Sequence, residues 1–219
     1  MPVEGVGLLG RCHLITDSRD GRDPLAVLPA ALDAGVDVIQ VRLKGRGDRE
    51  VLAVVEAALA ACRAYGATCI VDDRLDVALA AGADGVHLGD EDLPVAAARA
   101  VAGPAFLIGA TVRNPGAARA AVEAGASYLG TGPAYATASK AGLPDPIGPS
   151  GVAAVCAAVD VPVVAIGGVT AERVADLVAA GAHGVAVVGA ISDAPDPGAA
   201  ARRLVASLAS LAARVTSPG

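Results

Sequence analysis

Two acidic clusters, each closing an apolar run, hold the residue types best suited to chemistry. Cys69-Ile70-Val71 runs into Asp72-Asp73, and Gly85-Val86-His87-Leu88-Gly89 runs into Asp90-Glu91-Asp92. Asp76 to Ala81 reads as a helix between them, so the stretch is a strand, helix, strand unit. Its strands are parallel and both acidic ends share one sheet edge. Carboxylates converging from two strand ends suit a hard cation such as magnesium. Asp also favours helix N-caps and first turns. Asp76 fits that capping role, whereas Asp73 and Asp92 are expected to hold metal.

A second constellation is basic. In Gln40-Val41-Arg42-Leu43-Lys44, strand alternation points Gln40, Arg42 and Lys44 the same way. Arg offers a planar fork and Lys a point charge, a pairing that suits phosphate or pyrophosphate as readily as it suits solvated surface. Further on, the loop Gly132 to Gly142 carries Thr137, Ser139 and Lys140, and two later apolar runs end in Gly167-Gly168 and Val188-Gly189. Glycines there admit a close backbone approach to an anion, or simply punctuate turns.

The elements that must position these residues alternate without interruption. Apolar runs at Cys12–Thr16, Val36–Arg42, Thr68–Val71, Gly85–Leu88, Phe106–Thr111, Tyr128–Thr131, Val161–Ile166 and Gly184–Val188 are separated by Ala-rich helical segments. Several runs are apolar at consecutive positions, as in parallel strands buried on both faces. Asn114-Pro115 reads as an N-cap and first helical residue, Thr170 as the cap of the helix that Gly181 ends. An Ala-Gly turn into a strand recurs at Gly35, Gly82, Gly125 and Gly181. Leu204, Leu208, Leu211 and Val215 fall on one face of a last helix. Eight strand and helix pairs in 219 residues, with no linker, predict one TIM (β/α)8 barrel over residues 1–219, with 1–10 an extension and 216–219 a flexible tail. The Rossmann alternative lacks its glycine fingerprint after the first strand, which ends in Thr16-Asp17-Ser18-Arg19.

Composition narrows the function class. The chain is 54% hydrophobic and its net charge is −6. With no Trp, one Phe and three Tyr, it offers neither the charge nor the aromatic platforms for nucleic acid. Cys12, Cys62, Cys69 and Cys156 lack the short paired spacing of a zinc site or disulfide framework and read as small buried hydrophobes. The apolar stretch from Leu177 to Ser192 is broken by glycines and His183, so no membrane span is expected, and a cytoplasmic protein follows. His13, His87 and His183 lie in or beside strands without evident triad partners.

Together these residues resemble the thiamine phosphate synthases, a family of TIM-barrel enzymes, from His13-Leu14-Ile15-Thr16-Asp17 to Ala186-Val187-Val188-Gly189-Ala190-Ile191. The resemblance implies that Gln40, Arg42 and Lys44 bind the pyrimidine diphosphate and that Asp73 and Asp92, the latter in Gly89-Asp90-Glu91-Asp92-Leu93, bind Mg2+. It implies further that Thr137 and Ser139 take the thiazole substrate, Lys140 the pyrophosphate, and Gly168, Val188 and Gly189 the thiazole phosphate. Asp72 stands where the family usually has Asn, Thr111 and Gly189 where it has Ser, and Asp90 where it has Gln. Asp72 and Thr111 are still expected to bind substrate, Thr111 through its retained hydroxyl. If Asp72 faces pyrophosphate, its charge must join the metal, pair with a cation such as Arg74, or be protonated. The implied reaction is alkyl transfer: pyrophosphate leaves, and the thiazole nitrogen attacks the resulting carbocation, with Arg42, Lys44, Lys140 and magnesium stabilising the departing charge. A related thiazole tautomerase would lack the pyrophosphate motif and metal carboxylates, and a silent phosphate-binding barrel would show no magnesium-dependent turnover. A homo-oligomer is compatible with either activity.

Overall fold

The computed structural model describes residues 9–137 and 142–215. Eight parallel strands close into a barrel in sequence order: β1 (Cys12–Ile15), β2 (Val38–Val41), β3 (Thr68–Asp72), β4 (Gly85–Leu88), β5 (Leu107–Val112), β6 (Tyr128–Thr131), β7 (Val163–Ile166) and β8 (Gly184–Val187), with β8 pairing back onto β1. The helices between them are α1 (Leu28–Asp33), α2 (Asp48–Tyr65), α3 (Leu75–Ala81), α4 (Val95–Ala102), α5 (Pro115–Glu123), α6 (Gly148–Cys156) and α7 (Val174–Ala179). After β8 come the short α8 (Gly189–Ser192) and the long α9 (Pro197–Val215). The barrel expected from the alternation is therefore present, and strand ends differ from expectation by one or two residues.

Strand parity divides the core. Leu14, Ile39, Val71, Val86, Ile108, Ala165 and Val185 face outward and pack with the helices in one large cluster. Ile15, Val38, Ile70, Tyr128, Val164 and Ala186 fill the barrel with Leu9. Large and small residues meet across the interior pairings: Ile70 is registered with Gly85, and Tyr128 with Gly109. This complementarity is what a close-packed interior requires of a tapering space.

Local punctuation mostly follows the sequence. Asn114 caps α5 by accepting from the Ala117 amide at 2.9 Å. All four Ala-Gly turns place the glycine at left-handed φ, from +67° at Gly82 to +100° at Gly125. Leu204 and Leu208 of α9 are buried and Leu211 packs beside them. Thr170 is a correction: it precedes a 3-10 turn, Ala171–Arg173, and makes no capping bond to a backbone amide. Its hydroxyl instead meets the Glu172 carboxylate, which competes for the same bond. Cys12, Cys62 and Cys69 are buried, Cys156 partly so, and all are free thiols. No helix among the described residues is long and apolar enough to cross a membrane.

One arginine holds the end of the barrel away from the acidic clusters. Arg99 of α4 donates to the carbonyls of Gly103 (2.7 Å), Phe106 (2.6 Å) and Gly125 (2.8 Å) and to Ser127 Oγ (2.9 Å). Its fork thus ties α4 to the start of β5 and to the turn before β6. Hydrogen bonds from a charged donor each contribute about 1.5–3 kcal/mol. Arg99→Met, which keeps the apolar stem, is expected to lower unfolding free energy by roughly 2–4 kcal/mol, read as the shift in a urea transition. A change below about 0.5 kcal/mol would mean that water replaces the guanidinium at no cost.

Candidate functional site

The C-terminal strand ends open into a cavity of about 540 Å³. Gln40, Arg42, Lys44, Asp72, Asp73, Asp92, Thr111, Thr137, Gly168, Val188 and Gly189 all line it. Every residue expected to bind substrate or metal and lying within the described range is thereby brought to one mouth. Ser139 and Lys140 lie outside the described residues. Asp76 does not line the cavity; it sits in the first turn of α3 and forms a forked pair with Arg74 at 2.6 and 2.9 Å.

The basic segment is fixed from β1. Thr16 Oγ1 accepts from the Arg42 amide at 2.8 Å and donates to the Arg42 carbonyl at 3.1 Å, extending the ladder past the last residue of β2. Gln40, Arg42 and Lys44 then reach across to the end of β3. Gln40 Nε2 donates to Asp72 Oδ1 at 2.7 Å, and Arg42 Nε lies 3.3 Å from Asp72 Oδ2. Lys44 is ion-paired with Asp73. The cation that neutralises Asp72 is therefore Arg42 and not Arg74, whose guanidinium is taken by Asp76 and Asp48. Burial raises the Asp72 pKa above the usual carboxylate range, while Arg42, Lys44 and Gln40 pull it back.

Alternation alone would send the Asp72 and Asp73 side chains to opposite faces of a strand. The chain avoids this because β3 ends at Asp72 and Asp73 takes φ +63°, the one left-handed non-glycine among the described residues. Asp tolerates that region better than most residues. The turn is held by the Asp73 amide, which donates to the His87 carbonyl at 2.8 Å. Asp92 is aimed by a separate device, its Oδ2 accepting from the Gly89 amide at 2.8 Å.

Asp73 and Asp92 consequently share a hydrogen bond between their carboxyl groups. Burial, that bond and the charge of Asp72 push the Asp73 pKa up to about 7, against the pull of Lys44. Burial also pushes Asp92 up, but the bond to Asp73 and the Gly89 amide hold it below the usual range. Like charges side by side raise the pKa of one of the pair, and a bound cation would relieve that repulsion. The pair thus has the donor chemistry that a magnesium ion needs from protein, with phosphate oxygens and waters completing the sphere.

The opposite rim is built from backbone. Gly167 and Gly168, after β7, have φ +93° and +62°. The Tyr135 amide donates to the Gly167 carbonyl at 3.0 Å, and Arg173 donates to the Gly168 carbonyl at 2.6 Å while stacking 4.4 Å over the Tyr135 ring. This zips the start of the β6–α6 loop, through Tyr135, against the end of β7. At β8 the four-residue α8 begins at Gly189, and its first amides lie outside the helical ladder.

With this geometry in view, the likeness to known proteins is specific. The model of a family described as thiamine monophosphate synthase matches residues 12–191. The chain belongs to that family. It is 56% identical over 203 residues to the thiamine-phosphate synthase of Salinispora arenicola, covering 91% of this chain and 98% of that one. The corresponding enzyme of Chlorobium luteolum is 44% identical over 193 residues, covering 88% and 90%. Among solved structures, thiamine phosphate pyrophosphorylase from Pyrococcus furiosus superposes with a TM-score of 0.84 at 35% identity, over 92% of this chain and 96% of that one. The family, the single-domain barrel and the synthase activity expected from the sequence are borne out, and the protein is accordingly a transferase.

Thiamine monophosphate synthase motifs account for only part of the mouth. The half-buried His87 bonds Thr111 Oγ1 through Nε2 and Tyr128 Oη through Nδ1, both at 3.0 Å. Burial lowers its pKa to about 4, so the ring is neutral. Asp17, Arg19 and Arg113 also line the cavity. Arg19 bridges Asp17 and Asp193 at 2.6 Å each, joining the loop after β1 to the end of α8. Arg113 donates to the carbonyls of Gly132 (3.3 Å) and Asp145 (2.7 Å), the two flanks of the β6–α6 loop. Strand parity and the mid-strand glycines Gly109 and Gly130 are the signals that could have pointed to His87; nothing in the local sequence marks the arginines.

Proposed function

We propose that this barrel condenses 4-amino-2-methyl-5-(diphosphooxymethyl)pyrimidine with a thiazole ethyl phosphate, carboxylated or not, to give thiamine phosphate and pyrophosphate, with Mg2+ at Asp73 and Asp92. The observation that carries the reading is the convergence of Gln40, Arg42 and Lys44 with that carboxyl pair on one side of a cavity, and of a glycine-backbone rim on the other. One side is cationic and fits a diphosphate; the other presents backbone and fits a phosphate monoester.

In this reading the methylene C–O bond breaks and the electron pair leaves on pyrophosphate. The thiazole nitrogen lone pair then forms the new C–N bond. Bound magnesium supplies charge neutralisation on the diphosphate. Arg42 and Lys44 bind and orient that group, and Gln40 fixes the Asp72 carboxylate beside it. Lys140 would add a third cation from the β6–α6 loop. No side chain has to act as a nucleophile, which suits a mouth whose two histidines, His13 and His87, are both neutral. Incubating the protein with both phosphorylated substrates and magnesium, and assaying thiamine phosphate, tests the reading; binding of either phosphate without product points to a non-catalytic barrel.

Asp72 is the residue that separates this mouth from the expected pattern. Asp72→Asn keeps an oxygen for Gln40 but releases Arg42 from its ion pair and removes a negative charge beside the diphosphate. The apparent KM for the pyrimidine diphosphate is expected to stay unchanged or fall by up to about tenfold, equivalent to roughly 1.4 kcal/mol. A large loss of kcat in this variant would make Asp72 a metal ligand in its own right.

A further inference from the structure

One polar side chain inside the barrel joins three strands, and its backbone reaches a fourth. His87 in β4 bonds Thr111 of β5 and Tyr128 of β6, and its carbonyl accepts from Asp73 at the end of β3. Two glycines make room for it. A Cβ at Gly109 would lie 2.2 Å from Tyr128 Cζ and 2.4 Å from His87 Nδ1, and one at Gly130 would lie 2.9 Å from His87 Cε1. Glycines in mid-strand mark such close approaches. The rings are held by packing, so the direction of each hydrogen bond can be worked out.

A neutral imidazole has one N–H and one bare nitrogen. Tyr128 is 1% exposed, and its hydroxyl makes no other hydrogen bond among the described residues. With the proton on Nδ1, the ring would donate to the tyrosine and leave the buried tyrosine proton without an acceptor. With the proton on Nε2, Tyr128 donates to Nδ1 and Nε2–H donates to Thr111 Oγ1. The Thr111 hydroxyl is then engaged as an acceptor from inside the barrel, and its own proton is left for the cavity that it lines.

We propose that His87, locked by Tyr128 as the Nε2–H tautomer, is a positioning residue that occupies one lone pair of Thr111 Oγ1 and turns the hydroxyl proton toward the pyrimidine diphosphate. The atom that satisfies this proton is an acceptor, a ring nitrogen or a diphosphate oxygen, and a substrate analogue without an acceptor there binds more weakly because it leaves the proton unpaired. The identity of the ligand rests on the proposed function; the tautomer does not.

The test has two arms. Long-range ¹H–¹⁵N NMR of the full chain labelled at histidine, with the His87 signals assigned by their loss in His87→Asn, is expected to show Nε2–H in the native protein and a mixture of tautomers in Tyr128→Phe. In kinetics, Tyr128→Phe is expected to raise KM for the pyrimidine diphosphate by about tenfold, the equivalent of one hydrogen bond, without moving KM for the thiazole phosphate. Thr111→Val should lose at least as much as Tyr128→Phe, and Thr111→Ser, which restores the hydroxyl, should recover most of that loss; this preserves the kinetic arm if the tyrosine variant does not fold. An Nδ1–H tautomer in the native protein, or Thr111→Val with native KM, overturns the proposal. A native protein that makes no thiamine phosphate but carries Nε2–H at His87 defeats the functional reading alone.

Discussion

Asp73→Asn and Asp92→Asn are each expected to lower magnesium-dependent turnover by on the order of a hundredfold or more, the scale of losing one preorganised electrostatic contact to a transition state. Asn is the informative replacement. At Asp73 it tolerates φ +63° as Asp does, so the backbone turn survives and only the charge is removed. Asp73→Ala would add roughly 1–2 kcal/mol of left-handed backbone strain, and its loss would mix fold with chemistry. At Asp92 the amide oxygen can still accept from Gly89, so the loop also survives. A lone remaining carboxylate binds the ion weakly, so half-saturating magnesium should rise in both variants before kcat is considered. Steady-state rates against magnesium decide it. If either variant keeps full activity at the native magnesium requirement, the carboxyl pair is not the metal site.

The order of elements was legible because the barrel repeats one unit. Each Ala-Gly turn, each apolar run and each helix in this chain states the same instruction, and errors of one or two residues at strand ends cannot change a topology set eight times over. The acidic and basic clusters were legible for a related reason: at a barrel mouth, strand ends are neighbours, so residues 40–44, 72–73 and 92 meet although they are far apart in the chain. What was not legible depends on single dihedrals and on pairings across the barrel. The left-handed turn at Asp73, which sets both Asp72 and Asp73 toward the cavity, has no marker in Val71-Asp72-Asp73-Arg74. Arg74 is one partner the sequence offers Asp72, beside a metal or a proton; the structure instead pairs it with Arg42 across the β2–β3 ladder, where parallel register brings Gln40 and Arg42 within reach. Thr170 lost its capping role to a hydroxyl–carboxylate contact with Glu172 that propensity does not weigh. The His87, Thr111 and Tyr128 network left a trace in Gly109 and Gly130, two glycines in mid-strand, but only the register shows what fills the space.

Gly168→Val is expected to raise KM for the thiazole phosphate by on the order of a hundredfold, about 2.7 kcal/mol, while KM for the pyrimidine diphosphate stays within about twofold of native. A Cβ at Gly168 would lie 2.5 Å from the Ala136 carbonyl oxygen and 2.8 Å from Tyr135 Cβ. Neither atom belongs to the free end of a flexible side chain, so the β6–α6 loop itself must move. The residue's φ of +62° adds strain for any β-branched side chain. Displacing the loop also disturbs Arg173, which holds the Gly168 carbonyl and stacks on Tyr135, and carries Thr137 away from the cavity. All of these contacts lie on the rim opposite Lys44 and Asp73, which is why the two Michaelis constants should separate. Initial-rate kinetics with each substrate varied in turn read the split directly, and a thermal melt of the same preparation establishes that the barrel is intact. Equal increases in both constants would mean that the glycine rim and the cationic rim act as one site, and that the assignment of one substrate to each side is wrong.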